Sequence, residues 1–199
     1  MTSRFWILLL LTPALGCRSE REQPSEAVLA EARRELEARG RSDQAVREGF
    51  GVDGKVDTTQ IRLMNRTDSA NTEWLKAHVK RWGWPTSQQV GDEAVQSAFL
   101  IVQHAVHDTA FMRDMLPFIQ AAHRRGDLNG GAVAMLIDRL EVKAGRPQIY
   151  GTQLSLLDGR WQFDPIADSP GVDARRREMG LSPLAEYMRL IDSVLRSGK

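Results

Sequence analysis

Apolar residues recur at three- and four-residue intervals over most of the chain, the spacing of one helix face. Val28, Leu29, Ala32 and Leu36 form such a stripe. Ser25 ahead of it suits an N-cap and Gly40 behind it a stop, so a helix is expected from Ser25 to about Arg39. A second, short helix is expected to start near Ser42 or Asp43. Residues 49–57, with three glycines and two aspartates, read as a loop. The next helix is expected from about Thr59 to Trp82, with room for an interruption near Ser69. The stretch WGWP ends it, because the residue before a proline is pushed out of the helical region.

The stretch DEAVQSAFLIVQHAVHD, residues 92–108, reads as the central helix. At about 100° per residue, Ala94, Ala98, Ile101, Val102 and Ala105 share one side, while Phe99, Leu100 and Val106 cover much of the rest. A helix apolar nearly all round is a buried one. Thr109 is expected to cap a helix to about Arg125, with Pro117 a candidate kink. Asn129 is expected to cap another, running through Val133, Leu136, Ile137 and Leu140 to Ala144 and ended by Gly145. Asp158-Gly159 is a hairpin-turn dipeptide, so 148–157 and 160–163 are expected to pair as strands. A short basic helix carrying Arg175, Arg176 and Arg177 follows, and Ser182-Pro183 opens a C-terminal helix. The fold class is therefore mainly α: an irregular helical domain with one small β-hairpin near residues 148–163.

Composition narrows the function classes. The 199 residues are 42% hydrophobic and 27% charged, with a formal net charge of +1. That is ordinary for a globular domain and offers no basic stripe for a phosphate backbone, so no nucleic-acid partner is expected. The single cysteine excludes an internal disulfide framework and a multi-cysteine zinc site.

That cysteine follows the stretch MTSRFWILLLLTPALG. Arg4 is a positive n-region, and Phe5 to Leu11 an apolar run shorter than the roughly 20 residues that span a bilayer. A cleaved signal over residues 1–17 fits better. Its end resembles a bacterial lipoprotein signal, with Cys17 the lipidation position, although Ala14 stands where leucine is usual. Arg18 would be the second mature residue, which favours the outer membrane. The expected location is the periplasmic side of the cell envelope, lipid-anchored, or otherwise secreted. Residues 18–24 read as a polar tether and 25–199 as one mostly helical domain. A lipid anchor is the only membrane contact expected.

Candidate chemistry sits in three places. His104, His107 and Asp108 lie at i, i+3 and i+4 of the central helix. A carboxylate beside a buried face needs a partner, and an Asp108 contact to His104 would orient the imidazole as a general base. The bland alternative has Asp108 capping the next helix. Two histidines three apart with no glutamate between them lack the zincin pattern, so no metal and no cofactor are expected. Asp138 and Arg139 interrupt the apolar run AMLIDRLEV and suit an internal ion pair or a polar pocket. In GRPQIYGTQ, residues 145–153, strand alternation would put Gln148, Tyr150 and Thr152 on one face and Ile149, Gly151 and Gln153 on the other. Such neutral groups either orient a polar ligand or satisfy buried partners.

Taken in order, several elements resemble a bacterial family of unassigned function, the domain-of-unknown-function family 6624. They are Gly83-Trp84-Pro85, Val90-Gly91, Gln103-His104-Ala105 with Asp108, Phe111, and Leu136 with Asp138-Arg139. Gly145 to Gln153, Pro165-Ile166, Arg176-Arg177 with Gly180-Leu181, and Pro183-Leu184 with Glu186-Tyr187 complete the set. The match covers about residues 43–190; Met135 and Thr109-Ala110 depart from it, where tyrosine and Asp-Pro are frequent. The resemblance implies that His104, Asp108, Asp138, Arg139, Gln148, Tyr150, Thr152 and Gln153 belong to one polar site.

The leading expectation is a pocket for a small polar ligand or a peptide segment. Asp138, Arg139, Gln148, Tyr150, Thr152, Gln153 and Arg176 would line it. The alternative is a hydrolase-like or lyase-like enzyme with His104 as general base oriented by Asp108, and Arg139 or Arg176 stabilising a developing anion. A purely structural polar network is the third.

Overall fold

The structure, a computed structural model, describes residues 23–50, 57–157 and 160–197. The signal-like stretch, Cys17 and the Asp158-Gly159 turn lie outside them. Within them the chain is mainly helical with one two-stranded antiparallel hairpin, as the periodicity predicts. No helix among the described residues is long and apolar enough to cross a membrane.

Helix α1 (Glu26–Ala45) begins as expected, the Ser25 hydroxyl accepting the Val28 N–H. It does not stop at Gly40, and the short second helix expected from Ser42 or Asp43 is its continuation. The glycine serves a helix crossing instead. A Cβ on Gly40 would lie 2.2 Å from Ser97 Oγ and 2.8 Å from Ser97 Cβ, so its absence lets α1 press onto α4 (Asp92–His104). Helix α2 (Thr58–Trp82) runs through Ser69 without a break. The Ser69 hydroxyl donates to the Asn65 carbonyl one turn back, at 2.9 Å, and is absorbed inside the helix. A single turn, α3 (Ser87–Val90), leads into α4.

Helix α4 is the centre of the core, with Ala94, Val95, Ala98, Phe99, Ile101 and Val102 all buried. Each side chain as large as Phe99 or Ile101 contributes about 1.5–3 kcal/mol by leaving water. The helix ends at His104, short of the predicted Asp108, because Ala105 leaves the helical region at ψ 41°. Asp108, rather than Thr109, caps α5 (Thr109–Arg125). Pro117 sits inside α5 without ending it, and α5 packs on α6 (Gly130–Lys143), capped by Asn129 as expected. Trp84 is a core anchor.

The hairpin pairs β1 (Leu154–Leu157) with β2 (Arg160–Phe163), Leu154 opposite Phe163. The first strand thus begins at Leu154, not at 148. Gln148 makes only an isolated parallel bridge to Ile166, and residues 149–151 bend. Helices α7 (Val172–Glu178) and α8 (Leu184–Ser197) close the domain.

Candidate functional site

The bend at 149–151 has a cause on α6. Asp138 is fully buried, and its Oδ1 accepts the N–H groups of Ile149 at 2.7 Å and Tyr150 at 2.9 Å. Its Oδ2 accepts the Thr152 N–H at 2.9 Å and the Thr152 hydroxyl at 2.8 Å. In a strand, successive N–H groups point to opposite edges, so three of them can reach one carboxylate only if the chain curls around it. Gly151, at φ +71°, supplies the curl. Gln148, also fully buried, closes the segment from the other side. Its amide donates to the carbonyls of Gln153 at 3.0 Å and Asp164 at 2.7 Å, and its Oε1 accepts the Gln153 N–H at 2.8 Å. Arg176 donates from Nη1 to the Tyr150 carbonyl at 2.7 Å and from Nε to the Ser182 carbonyl at 2.6 Å, with its guanidinium over the Tyr187 ring. Burial holds its pKa below the ordinary arginine value. Asp138, Gln148 and Arg176 thus clamp backbone. The alternating faces expected for Gln148, Tyr150 and Thr152 do not form.

His104 stands at the C-terminal end of α4 but does not pair with Asp108. Its Nδ1 lies 2.9 and 3.0 Å from the two carboxylate oxygens of Asp43, a fully buried residue near the end of α1. Asp108 is turned to other work. Its Oδ1 accepts the Phe111 N–H at 3.0 Å, and Oδ2 meets Lys76 Nζ at 2.6 Å. The Lys76 ammonium first, then the Phe111 N–H, holds its carboxyl below the ordinary value, and Lys76 is raised in return. The expected contact fails because the helix ends at His104, so the residues are no longer one turn apart on a common face.

Since a carboxylate only accepts, Asp43 puts a proton on Nδ1 of His104, so that the neutral form of the ring carries its lone pair on Nε2. That nitrogen has no hydrogen-bond partner among the described residues. His104 lines a cleft of about 350 Å³ together with Arg47, Asn65, Asp68, Arg139 and Trp161. Arg139 reaches it from α6, donating from Nε to Gln153 Oε1 at 2.8 Å and from Nη1 to the Gln103 carbonyl at 2.7 Å. Its Nη2 has no hydrogen-bond partner among the described residues. Burial, and after it the charge of Arg47, pushes the Arg139 pKa down to about 10, with Asp68 acting the other way. A neighbouring cleft of about 260 Å³ shares Arg139 and Trp161 and adds Thr152 and Gln153. Tyr150 lines neither of these clefts; burial, then the charges of Asp138 and Glu178, raises its phenol. The polar set expected around one hollow therefore divides. His104 and Arg139 face the larger cleft, Thr152 and Gln153 the smaller one beside it, and Asp138 and Gln148 the clamp. Arg176 and Thr152 border a third cleft, of about 320 Å³, near Tyr187. Cys17 lies outside the described residues.

Asp43, Arg47, Asp68 and Trp161 escaped the sequence reading. Asp43 and Arg47 stand four apart, a spacing that signals a helical ion pair, but the glycine just before them masked the continuity of α1. Arg47 spans both carboxylates, with Nη1 2.8 Å from Asp43 Oδ1 and Nη2 2.5 Å from Asp68 Oδ1. Asp43, Asp68 and His104 each bring one potential metal-ligand atom within 4.8 Å of the others. The guanidinium of Arg47 already supplies the cation there, and a metal ion would have to displace it.

The fold and its polar groups define a class: a helical domain whose C-terminal hairpin is clamped onto a buried aspartate, beside a cleft carrying an oriented imidazole and an arginine. The chain belongs to the family described as a family of unknown function (DUF6624), whose sequence model matches residues 30–196. No curated protein matches the chain, and no solved structure does.

Proposed function

We propose that the cleft bounded by the turn after α1, by α2, by the end of α4, by α6 and by β2 binds a small polar ligand or a polar peptide segment. One observation carries the reading. His104 and Arg139 line the same cleft, and neither the His104 Nε2 nor the Arg139 Nη2 has a hydrogen-bond partner among the described residues. Polar groups held in fixed orientation with unused bonding capacity are what a polar binding site requires. We place the protein in the bacterial cell envelope, anchored through a lipid on Cys17. That part rests on the signal-like N-terminal sequence alone. Mass spectrometry of the mature N-terminus tests it: an unmodified or absent cysteine ends the anchoring proposal.

A second reading is favoured by the Asp43–His104 pair. A carboxylate on Nδ1 with Nε2 open is the arrangement of a general base, so hydrolase-like or lyase-like chemistry follows if a substrate proton comes within reach. Asp43 then does what the sequence assigned to Asp108. The binding test is a polar-metabolite screen read on the His104 ring by ¹⁵N NMR. Ligands that shift this signal in the native protein and lose affinity in His104→Gln support the cleft. A ring signal that no compound moves, with His104→Gln unfolding the domain, assigns the imidazole to the scaffold.

A further inference from the structure

We infer that the ligand of this cleft carries an oxyanion with a hydroxyl beside it, a hydrogen phosphate or a hydroxycarboxylate, seated between Arg139 and His104. The inference deepens the binding reading above and rests on it.

A guanidinium drawn out of water is costly unless an anion meets it. Arg47 is met twice, by Asp43 and by Asp68. Arg139 is not: its two bonded nitrogens donate to an amide oxygen and a backbone carbonyl, both neutral. No carboxylate pairs with it among the described residues. The nearby carboxylates are engaged elsewhere. Asp43 takes His104, Gln44 and Arg47, and Asp68 takes Arg47. Arg139 thus lines the cleft with its positive charge met by no carboxylate among the described residues.

The hydroxyl follows from the other wall. With Nδ1–H bound to Asp43, the neutral form of His104 offers a lone pair at Nε2 and accepts a hydrogen bond. A bare carboxylate would set oxygen lone pairs against it. A hydrogen phosphate has both parts in one group, since an anionic oxygen accepts from Arg139 Nη2 and its O–H donates to Nε2. A hydroxycarboxylate divides the same two roles between neighbouring carbons, and Trp161 supplies an apolar wall for those carbons. Asn65 adds an amide at the rim.

The experiment titrates the full chain in mild detergent, with ¹⁵N-labelled histidine, against inorganic phosphate, citrate and glycerol. Saturable shifts of the His104 ring with phosphate or citrate, and none with glycerol at equal concentration, are expected. Phosphate alone binding points to a phosphate ligand, and citrate alone to a hydroxycarboxylate. Arg139→Gln should weaken the anion about ten- to a hundredfold, the loss of one charge-assisted hydrogen bond. Arg139→Lys should keep part of the affinity. Should Arg139→Gln not fold, the selectivity of the native protein and the Arg139→Lys titration decide. Glycerol moving the ring while both anions leave it still overturns the oxyanion and keeps the polar cleft. Anion affinity unchanged in the Arg139 variants also overturns it. Silence toward all three probes overturns the oxyanion, and the cleft falls with it only if the wider polar screen also leaves the ring unmoved.

Discussion

Replacing Asp138 by asparagine changes almost nothing in size and reverses the bonding of one side-chain atom. In the native protein two carboxylate oxygens accept four donors: the N–H groups of Ile149, Tyr150 and Thr152 and the Thr152 hydroxyl. In the variant one oxygen becomes an NH₂ that points at two of those donors. Two bonds are lost, and two buried donors are left facing a third. A hydrogen bond to a charged group contributes about 1.5–3 kcal/mol, and an unsatisfied buried donor costs about 1–3 kcal/mol. The hydroxyl of Thr152 can rotate to another acceptor, so the sum is partly relieved. A loss of about 3–5 kcal/mol results, a large share of the roughly 5–15 kcal/mol that holds a domain folded. For a chain of this length, that is a fall in Tm of about 6–20 °C. Urea unfolding followed by tryptophan fluorescence and circular dichroism reads it. Thr152→Ala, which removes only the hydroxyl bond, should cost about 1 kcal/mol or a little more. Asp138→Asn within 1 kcal/mol of the native protein would refute the carboxylate as the organiser of the 149–152 curl.

Three further outcomes follow from the geometry. Gly40→Ala should destabilise by about 1–3 kcal/mol although alanine favours helix, because its Cβ meets Ser97 at 2.2 and 2.8 Å. Ser97→Gly in the same chain should restore most of the loss, and a neutral or stabilising Gly40→Ala would mean that the crossing has slack. The folded-state pKa of Asp108 is depressed, chiefly by Lys76, below its ordinary 3.8. Its contribution is therefore present at neutral pH and is lost as pH falls below that value. Tm measured down through pH 4 and below should drop less steeply in Asp108→Asn than in the native protein, and parallel acid limbs would contradict the assignment. Asp43→Asn should release the His104 tautomer, seen by ¹⁵N NMR as proton occupancy spreading to Nε2. An unchanged Nδ1–H population would show that something other than Asp43 fixes the ring.

The helices were legible because their signals are local: caps at Ser25 and Asn129 and an all-round apolar segment at 92–104. The errors share a different cause. Gly40 and Ser69 carry residue types that end or interrupt helices, yet one is used for a close crossing and the other bonds within its own turn. Neither use has a signature along the chain, since the deciding partner of Gly40 is Ser97, on another helix. Asp43 and His104 are likewise 61 positions apart. The polar character of GRPQIYGTQ was plain, but its strand geometry was not, because a buried carboxylate on α6 overrides local preference.

The clamp and the cleft are one mechanical unit, and Gln153 is the joint. Its N–H is held by Gln148, its amide nitrogen donates to the Thr152 hydroxyl at 3.0 Å, and its Oε1 receives Nε of Arg139. The Thr152 hydroxyl is in turn fixed by Asp138, the residue beside Arg139 on α6. An arginine needs its fork held if one free nitrogen is to be aimed, since its long side chain otherwise loses about 2 kcal/mol of rotamer entropy on binding. Neutral acceptors hold it without cancelling its charge. That explains why a buried segment is rich in glutamine and threonine rather than in acids: a carboxylate at 153 would orient Arg139 equally well but quench it. Gln153→Glu separates these roles. It keeps an acceptor for Arg139 but loses the amide donor to the Thr152 hydroxyl, so the domain should lose about 1–3 kcal/mol yet stay folded, while phosphate or citrate binding at His104 weakens about tenfold or more, the loss of one unit of unmatched charge. If the variant binds anions as the native chain does, the neutrality of the joint has no functional meaning, and the clamp serves folding alone.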